Sequence, residues 1–408
     1  MNSTSPSKRA ATAALFALAI GSFGIGMTEF VVMGLLPDLA RNLLPNTWAS
    51  STEDAIAQAG TLISLYALGV VIGAPTIAGS VARFPRHRVM IALALALTVF
   101  NALTFVAPSF EWVAASRLLA GLPHGAYFGI GALVAADILG PGRRAQGVAY
   151  VLVGLTVANV VGVPVGTFLG QHYGWRTTFM VVTGIFAIAT ACIAAFVPHH
   201  EGSPERTLRA ELQVFRIGQV WLTLAIGAIG FGGFFAVNSY VAPMITEIAH
   251  GPSWAVPLLL VVSGIGMTIG NLAGGRLADR ELRRTMLGAF LGSAMVLALI
   301  GLLAQWLIML AVLLFALNFV GSILAPTIQT RLMDVAQDNQ SIAAALNHSA
   351  LNIGNSLGAF FGGAVIAAGW GFVAPAWVGV AMALVGLALG AVGFAINRHA
   401  PALEPVAC

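Results

Sequence analysis

Twelve runs of roughly 20 apolar residues, joined by short polar loops, leave this chain a single kind of solvent. A helix rising about 1.5 Å per residue crosses the ~30 Å hydrocarbon core of a bilayer in that length. Six runs fall at about 12–36, 59–81, 89–107, 112–136, 146–169 and 177–197. After the polar stretch 199–216, six more follow at about 217–243, 254–275, 285–304, 306–330, 341–368 and 374–396. Loops this short hold no soluble domain. Only 8% of the 408 residues are charged and 58% are hydrophobic, against about 25% charged in an average soluble domain, which excludes an ordinary soluble enzyme.

The formal charge of +4 does not describe a nucleic-acid binder, because the basic residues sit in short clusters between apolar runs rather than along one stripe. Cys192 and Cys408 are the only cysteines, too few for a disulfide framework or a cysteine metal site. Lys8 and Arg9 precede an apolar stretch that continues to Leu36 without a cleavage signal, so it reads as a retained first span. With the N-terminus placed in the cytoplasm, sixteen of the 19 Lys and Arg fall in cytoplasmic segments. Only Arg41 and Arg176 fall outside, and Arg117 lies within span four, so both termini are expected in the cytoplasm.

The halves repeat at a fixed offset. Gly79 and Gly275, Gly162 and Gly358, and Gly166 and Gly362 are each 196 residues apart, and Gly174-Trp175 recurs 195 residues later as Gly369-Trp370. The expected fold is therefore all-α and membrane-integral, two pseudo-symmetric six-helix bundles at 1–198 and 217–408 with a linker at 199–216, as in transporters that alternate access.

Ionisable groups within the bilayer cost at least ~2.5–3.5 kcal/mol each, so each needs a partner or a task. Glu29 is the one acid deep in a span and Arg117 reads as the one buried base; Asp137 sits at the cytoplasmic end of span four. Helix rise puts Glu29 and Arg117 about 7.5 and 10.5 Å outward of their spans' midpoints, similar depths for a proton-coupling site, for a permanent structural ion pair, or for a carboxylate hydrogen-bonded to neighbouring helices. His124 and His348 are the only histidines within spans, fit either to titrate or to bond neighbouring helices. Asn159, Asn238, Tyr240, Asn271, Asn318, Asn352 and Asn355 also set polar groups in apolar runs, as interhelical glue or as cavity lining. The cavity set read from this pattern is His124, Tyr127, Asn159, Asn238, Tyr240, His348 and Asn352. Gly162, Pro164 and Gly166 mark a bend or close approach in span five.

These residues resemble the major facilitator superfamily, in particular its twelve-span drug:proton antiporters of the arabinose-efflux and chloramphenicol-exporter kind. The resemblance rests on Gly26-Met27-Thr28-Glu29-Phe30-Val31 through Pro37, Arg117 through Gly121-Leu122-Pro123-His124-Gly125, Asn159 through Gly162-Val163-Pro164-Val165-Gly166-Thr167, and Gly174-Trp175-Arg176. The superfamily's loop signature is matched by Gly275-Arg276-Leu277-Ala278-Asp279-Arg280 with Arg283-Arg284. In the first-half copy, which begins at Gly79, Arg83 stands where the pattern has Asp. The resemblance implies proton coupling through Glu29 and Arg117. It also implies a conformational switch formed by Gly79, Arg83, Gly275, Asp279, Arg280 and Arg283 with the span-five glycines and proline, in which Asp279 faces Arg280, Arg283 and Arg284.

The function expected is proton-coupled efflux of small amphipathic molecules or drugs across a bacterial inner membrane. A sugar or nucleoside exporter of the same fold, or a passive facilitator, are the alternatives. No catalytic cluster, metal site or cofactor is expected beyond the coupling proton, and the partners are substrate, protons and lipid around a monomer.

Overall fold

In hydrocarbon every backbone N–H and C=O needs a partner within the protein, and helices supply one locally. The computed structural model describes residues 8–81, 84–140, 144–199, 216–336 and 340–398, and among them there is no strand. Eleven continuous helices are long and apolar enough to cross a membrane. One of them, Ala255–Leu303, has 49 residues and would extend about 73 Å, more than twice the hydrocarbon thickness. Its backbone leaves the helical region at Glu281 (φ −154°, ψ 81°), so it is two spans, 255–280 and 282–303. The protein thus has twelve spans. In chain order they are Arg9–Gly34, Thr52–Ile77, Arg86–Val106, Phe110–Leu139, Tyr150–Tyr173 and Trp175–Phe196, then Gly218–Asn238, the two halves of the long helix, Leu307–Ala336, Leu346–Trp370 and Ala374–Ile396. An even number of crossings puts both ends of the chain on one face, called here the terminal face; the other is the far face.

Departures from regular helix trace to particular residues. Pro164 has no N–H to offer the preceding turn, and Ala158–Gly162 accordingly widens into a π-helical turn. Gly174 (φ +90°) makes the hairpin between spans five and six, and Gly369 (φ +79°) its counterpart between spans eleven and twelve. The repeated Gly-Trp pair thus marks a left-handed turn that glycine adopts without strain.

Packing within the first half depends on spans two and four meeting backbone to backbone. A side chain at Gly69 would strike the Leu118 carbonyl, and one at Gly121 the Tyr66 carbonyl. Spans eight and ten repeat the lock, with Gly266 and Gly270 against the Phe315 and Phe319 carbonyls. Close backbone approach of this kind replaces the hydrophobic drive that lipid removes.

The halves meet along two seams. Span two lies against span eleven, where the Ser64 and Ser356 hydroxyls each donate to the other residue's carbonyl at 3.1 Å. Span five lies against span eight, where Gly264 seats on the Asn159 carbonyl. Toward the far face Tyr240 plugs the junction: its hydroxyl donates to the Ala359 carbonyl at 2.7 Å and occupies the space left by Gly60.

Candidate functional site

Thr28 and Glu29 sit on adjacent faces of span one, so one looks into the first half while the other reaches the second. Arg117, fully buried on span four, donates from Nη1 to the Thr28 hydroxyl at 2.9 Å. Thr28 in turn donates to Asn101 Oδ1 at 2.6 Å, and Asn101 Nδ2 is anchored on the Leu97 carbonyl. The guanidinium carbon lies 4.0 Å over the Tyr66 ring, a cation–π contact that substitutes in part for lost hydration. Glu29, 7% exposed, accepts a hydrogen bond from Asn355 Nδ2 of span eleven at 3.3 Å. Its carboxylate therefore bridges the two halves.

No ion pair joins Glu29 to Arg117 among the described residues. The direct pairing expected from depth is replaced by a connection through consecutive span-one residues, with the two charges within Coulombic range of each other. Arg117 Nε and Nη2, Tyr66 Oη, His124 Nδ1, Asn352 Oδ1 and Asn355 Oδ1 are buried with no protein partner. Buried polar atoms are nearly always satisfied, so these orphans on spans two, four and eleven mark places fit to take water or polar ligand groups.

On the terminal-face side of the Glu29 layer His124 Nε2 and His348 Nε2 approach to 3.3 Å. On its other side a cavity of about 30 Å³ lies between the halves, bordered by Phe30, Phe234, Phe235, Asn159, Asn238 and Asn318 among others. Phe30 and Phe235 face each other across it with parallel rings, centroids 6.4 Å apart. The space is roomy enough for water.

Of the expected lining residues, Asn159 and Asn238 border this cavity. Asn352 and His348 belong with His124 on the other side, where Asn352 Nδ2 donates to the His348 carbonyl. Tyr127 and Tyr240 do not border the cavity. The Tyr127 hydroxyl donates to the Leu18 carbonyl in a slot left by Gly21, and Tyr240 is the far-side plug. Both are fully buried because a tyrosine ring between helices needs only one carbonyl to satisfy its hydroxyl.

The switch residues divide similarly. Gly162 and Gly166 pack against Met27 and Val31 of span one, and Pro164 is buried beside the π turn. Gly79 lies in the last turn of the span-two helix, and Arg83 falls outside the described residues. Gly275 has open space beside it. Asp279 and Arg280 are exposed, and Asp279 has no ion pair among the described residues; the acid that meets a base here is Glu281, 3.8 Å from Arg284. At the corresponding end of the first half, Asp137 pairs with Arg86. Arg331 corrects the view of Arg117 as the one buried base. It is 6% exposed at the end of span ten, donating to Gln219 and the Gly393 carbonyl at 3.2 Å and stacked on Phe394. Thr28, Tyr66 and Asn101 were missed by sequence reasoning, although a lone Asn in an apolar span was an available signal.

The family model of the Major Facilitator Superfamily matches residues 18–287 and 241–406, nearly the whole described chain. The chain belongs to that superfamily. It is 37% identical over 358 residues to the "Inner membrane transport protein YdhP" of Escherichia coli K12, covering 88% of this chain and 90% of that protein. It is 34% identical over 360 residues to the "Putative transporter AraJ" of the same organism, covering 87% and 88%. With the "Chloramphenicol resistance protein" of Streptomyces lividans it shares 29% over 357 residues, covering 84% and 86%. Among solved structures, a D-xylose-proton symporter superposes with a TM-score of 0.75 at 14% identity, over 93% of this chain and 97% of that one. That likeness concerns the fold alone. This superfamily member is a multi-pass membrane transporter.

Proposed function

We propose that this transporter exports small amphipathic molecules, drugs among them, in exchange for protons across a bacterial inner membrane. The terminal face is cytoplasmic on this reading, in keeping with the Lys and Arg bias of its loops. The observation that carries the proposal is the Glu29–Asn355 hydrogen bond: the one deep carboxylate is held by the opposite half and has no ion-pair partner. A carboxylate accepts such a bond more strongly than a neutral acid, so loading a proton on Glu29 loosens the tie between halves and releasing it restores the tie. That links proton occupancy to alternating access, and Arg117 supplies the positive charge that favours release.

Substrate enters between the halves, where Phe30 and Phe235 offer aromatic faces and Asn159 and Asn238 offer amides. The two six-helix bundles move about the span-five π turn with its Gly162, Pro164 and Gly166, and the 199–216 linker joins them. The working unit is a monomer, and the proton is the only cofactor. The resistance conferred by the Streptomyces lividans relative, as its name states it, suggests chloramphenicol as the first probe. In proteoliposomes an imposed pH gradient should drive chloramphenicol against its own gradient, and a protonophore should abolish the accumulation. Equilibration that ignores the pH gradient would instead make the protein a passive facilitator.

A further inference from the structure

His124 and His348 stand on opposite halves, and their Nε2–Nε2 contact is the one hydrogen bond among the described residues that joins span four to the second half. His348 lies seven residues from Asn355 along span eleven, two turns or about 10.5 Å nearer the terminal face than the layer of Glu29. His124 is fully buried, with its Nδ1 facing no protein partner. Its ring is 5.6 Å from that of Tyr66, whose hydroxyl is also unpartnered and whose other neighbour is Arg117. Phe128 closes the seam from one side, 5.4 and 5.0 Å from the two rings.

Resting on the antiport reading, we propose that His124 and His348 form a proton-carrying seam through which Glu29 exchanges its proton with solution at the terminal face. Two neutral imidazoles share one N–H, so His124 Nε2–H donates to the Nε2 lone pair of His348. A proton arriving at His124 Nδ1 forms an N–H bond there while the Nε2–H bond of His124 breaks and one forms on His348 Nε2. His348 then gives up its Nδ1 proton to water. One proton enters, one leaves, and each ring makes one N–H bond and breaks one. The rings end in exchanged tautomers and return to the starting ones when the halves part and water reaches them: His124 takes a proton at Nε2 and gives one up from Nδ1, while His348 gives one up from Nε2 and takes one at Nδ1, with no net proton gained or lost.

The groups bearing on the pair fit such a role. Span two contributes Tyr66, span one contributes Glu29 in the adjoining layer, and span four itself contributes Arg117 and Tyr127. Arg331 of span ten turns away to Gln219 and the Gly393 carbonyl. Tyr127 is committed to the Leu18 carbonyl, which leaves Tyr66 and intervening water as the approach to His124 Nδ1. Static interhelical glue would need the Nε2 contact but leaves the buried, unpartnered Nδ1 of His124 without a role.

The test is a pH jump on the full-length protein in lipid vesicles, followed by time-resolved infrared absorption of the carboxyl C=O band that Glu29→Gln removes. In His124→Gln and in His348→Gln the rate of that band's response should fall by about a hundredfold, the low end of what a positioned proton carrier contributes. His172→Gln, an exposed control on span five, should leave it unchanged. His348→Asn serves if either Gln variant fails to fold. A wild-type rate in any folded His124 or His348 variant would overturn the seam. Because the jump needs no transported molecule, that result is distinct from failure of the antiport reading, which appears as loss of uphill chloramphenicol transport in the wild type.

Discussion

Spans one and four in the first half, and spans seven and ten in the second, are equivalent pairs that carry polar contacts of opposite kinds. In the second half Asn318 Nδ2 donates to Asn238 Oδ1 at 3.2 Å, and each amide also donates to a carbonyl one turn back on its own helix. No charge is involved. In the first half the equivalent place holds Arg117, Thr28 and the Asn101 anchor, with Glu29 reaching out of it to Asn355 and unsatisfied nitrogens left on the guanidinium. At these equivalent span pairs the second half thus holds a neutral amide pair, and the first half holds the charged groups. The cost of burying those charges makes the first half sensitive to a proton, while interhelical amide pairs contribute only about 0.6 kcal/mol on average.

This contrast can be broken at several places. Arg117→Ala should have the largest effect, since it removes the Thr28 bond and the Tyr66 stack and leaves Glu29 without its balancing charge; proton-driven transport should fall to background. Arg117→Lys should recover little, because an ammonium cannot reproduce the stacked planar contact. Retained uphill transport in Arg117→Ala would remove the guanidinium from the mechanism.

Asn355→Leu should be milder. It deletes one hydrogen bond to a charged group, worth about 1.5–3 kcal/mol, and should slow proton-driven exchange at least tenfold while leaving chloramphenicol affinity within a fewfold. A loss confined to binding would instead place Asn355 in the substrate cavity. Asn318→Leu should matter least for coupling: thermal stability should change by less than about 1 kcal/mol, and although Asn318 borders the cavity, so that chloramphenicol affinity shifts, accumulation should still follow the pH gradient. A transport loss as large as that of Arg117→Ala would show that the two halves are not divided as described.

Much of the fold was legible because hydrocarbon dictates span length and glycine marks the turns. Spans eight and nine, read at 254–275 and 285–304, separate in the structure at a single non-helical residue, Glu281, within the polar loop between them. Glu29 and Arg117 stood out because the bilayer makes isolated charges expensive. Their partners did not, because Thr28, Tyr66 and Asn101 are ordinary residues whose importance lies in which neighbour they face. Arg331 read as a loop residue since it ends a span, yet it folds back onto Gln219 and Phe394. The tyrosines misled for the opposite reason. Tyr127 and Tyr240 carry a hydroxyl suited to a ligand, but a single carbonyl on an adjacent helix consumes it in each case.

The central claim is that the carboxylate of Glu29 carries the coupling proton, and proton release on chloramphenicol addition tests it most directly. With purified protein in weakly buffered solution and a pH-sensitive dye, the wild type should release protons as chloramphenicol binds. Glu29→Gln should bind chloramphenicol, followed by tryptophan fluorescence, and release none. Proton release from the Glu29→Gln protein equal to that of the wild type would contradict the account.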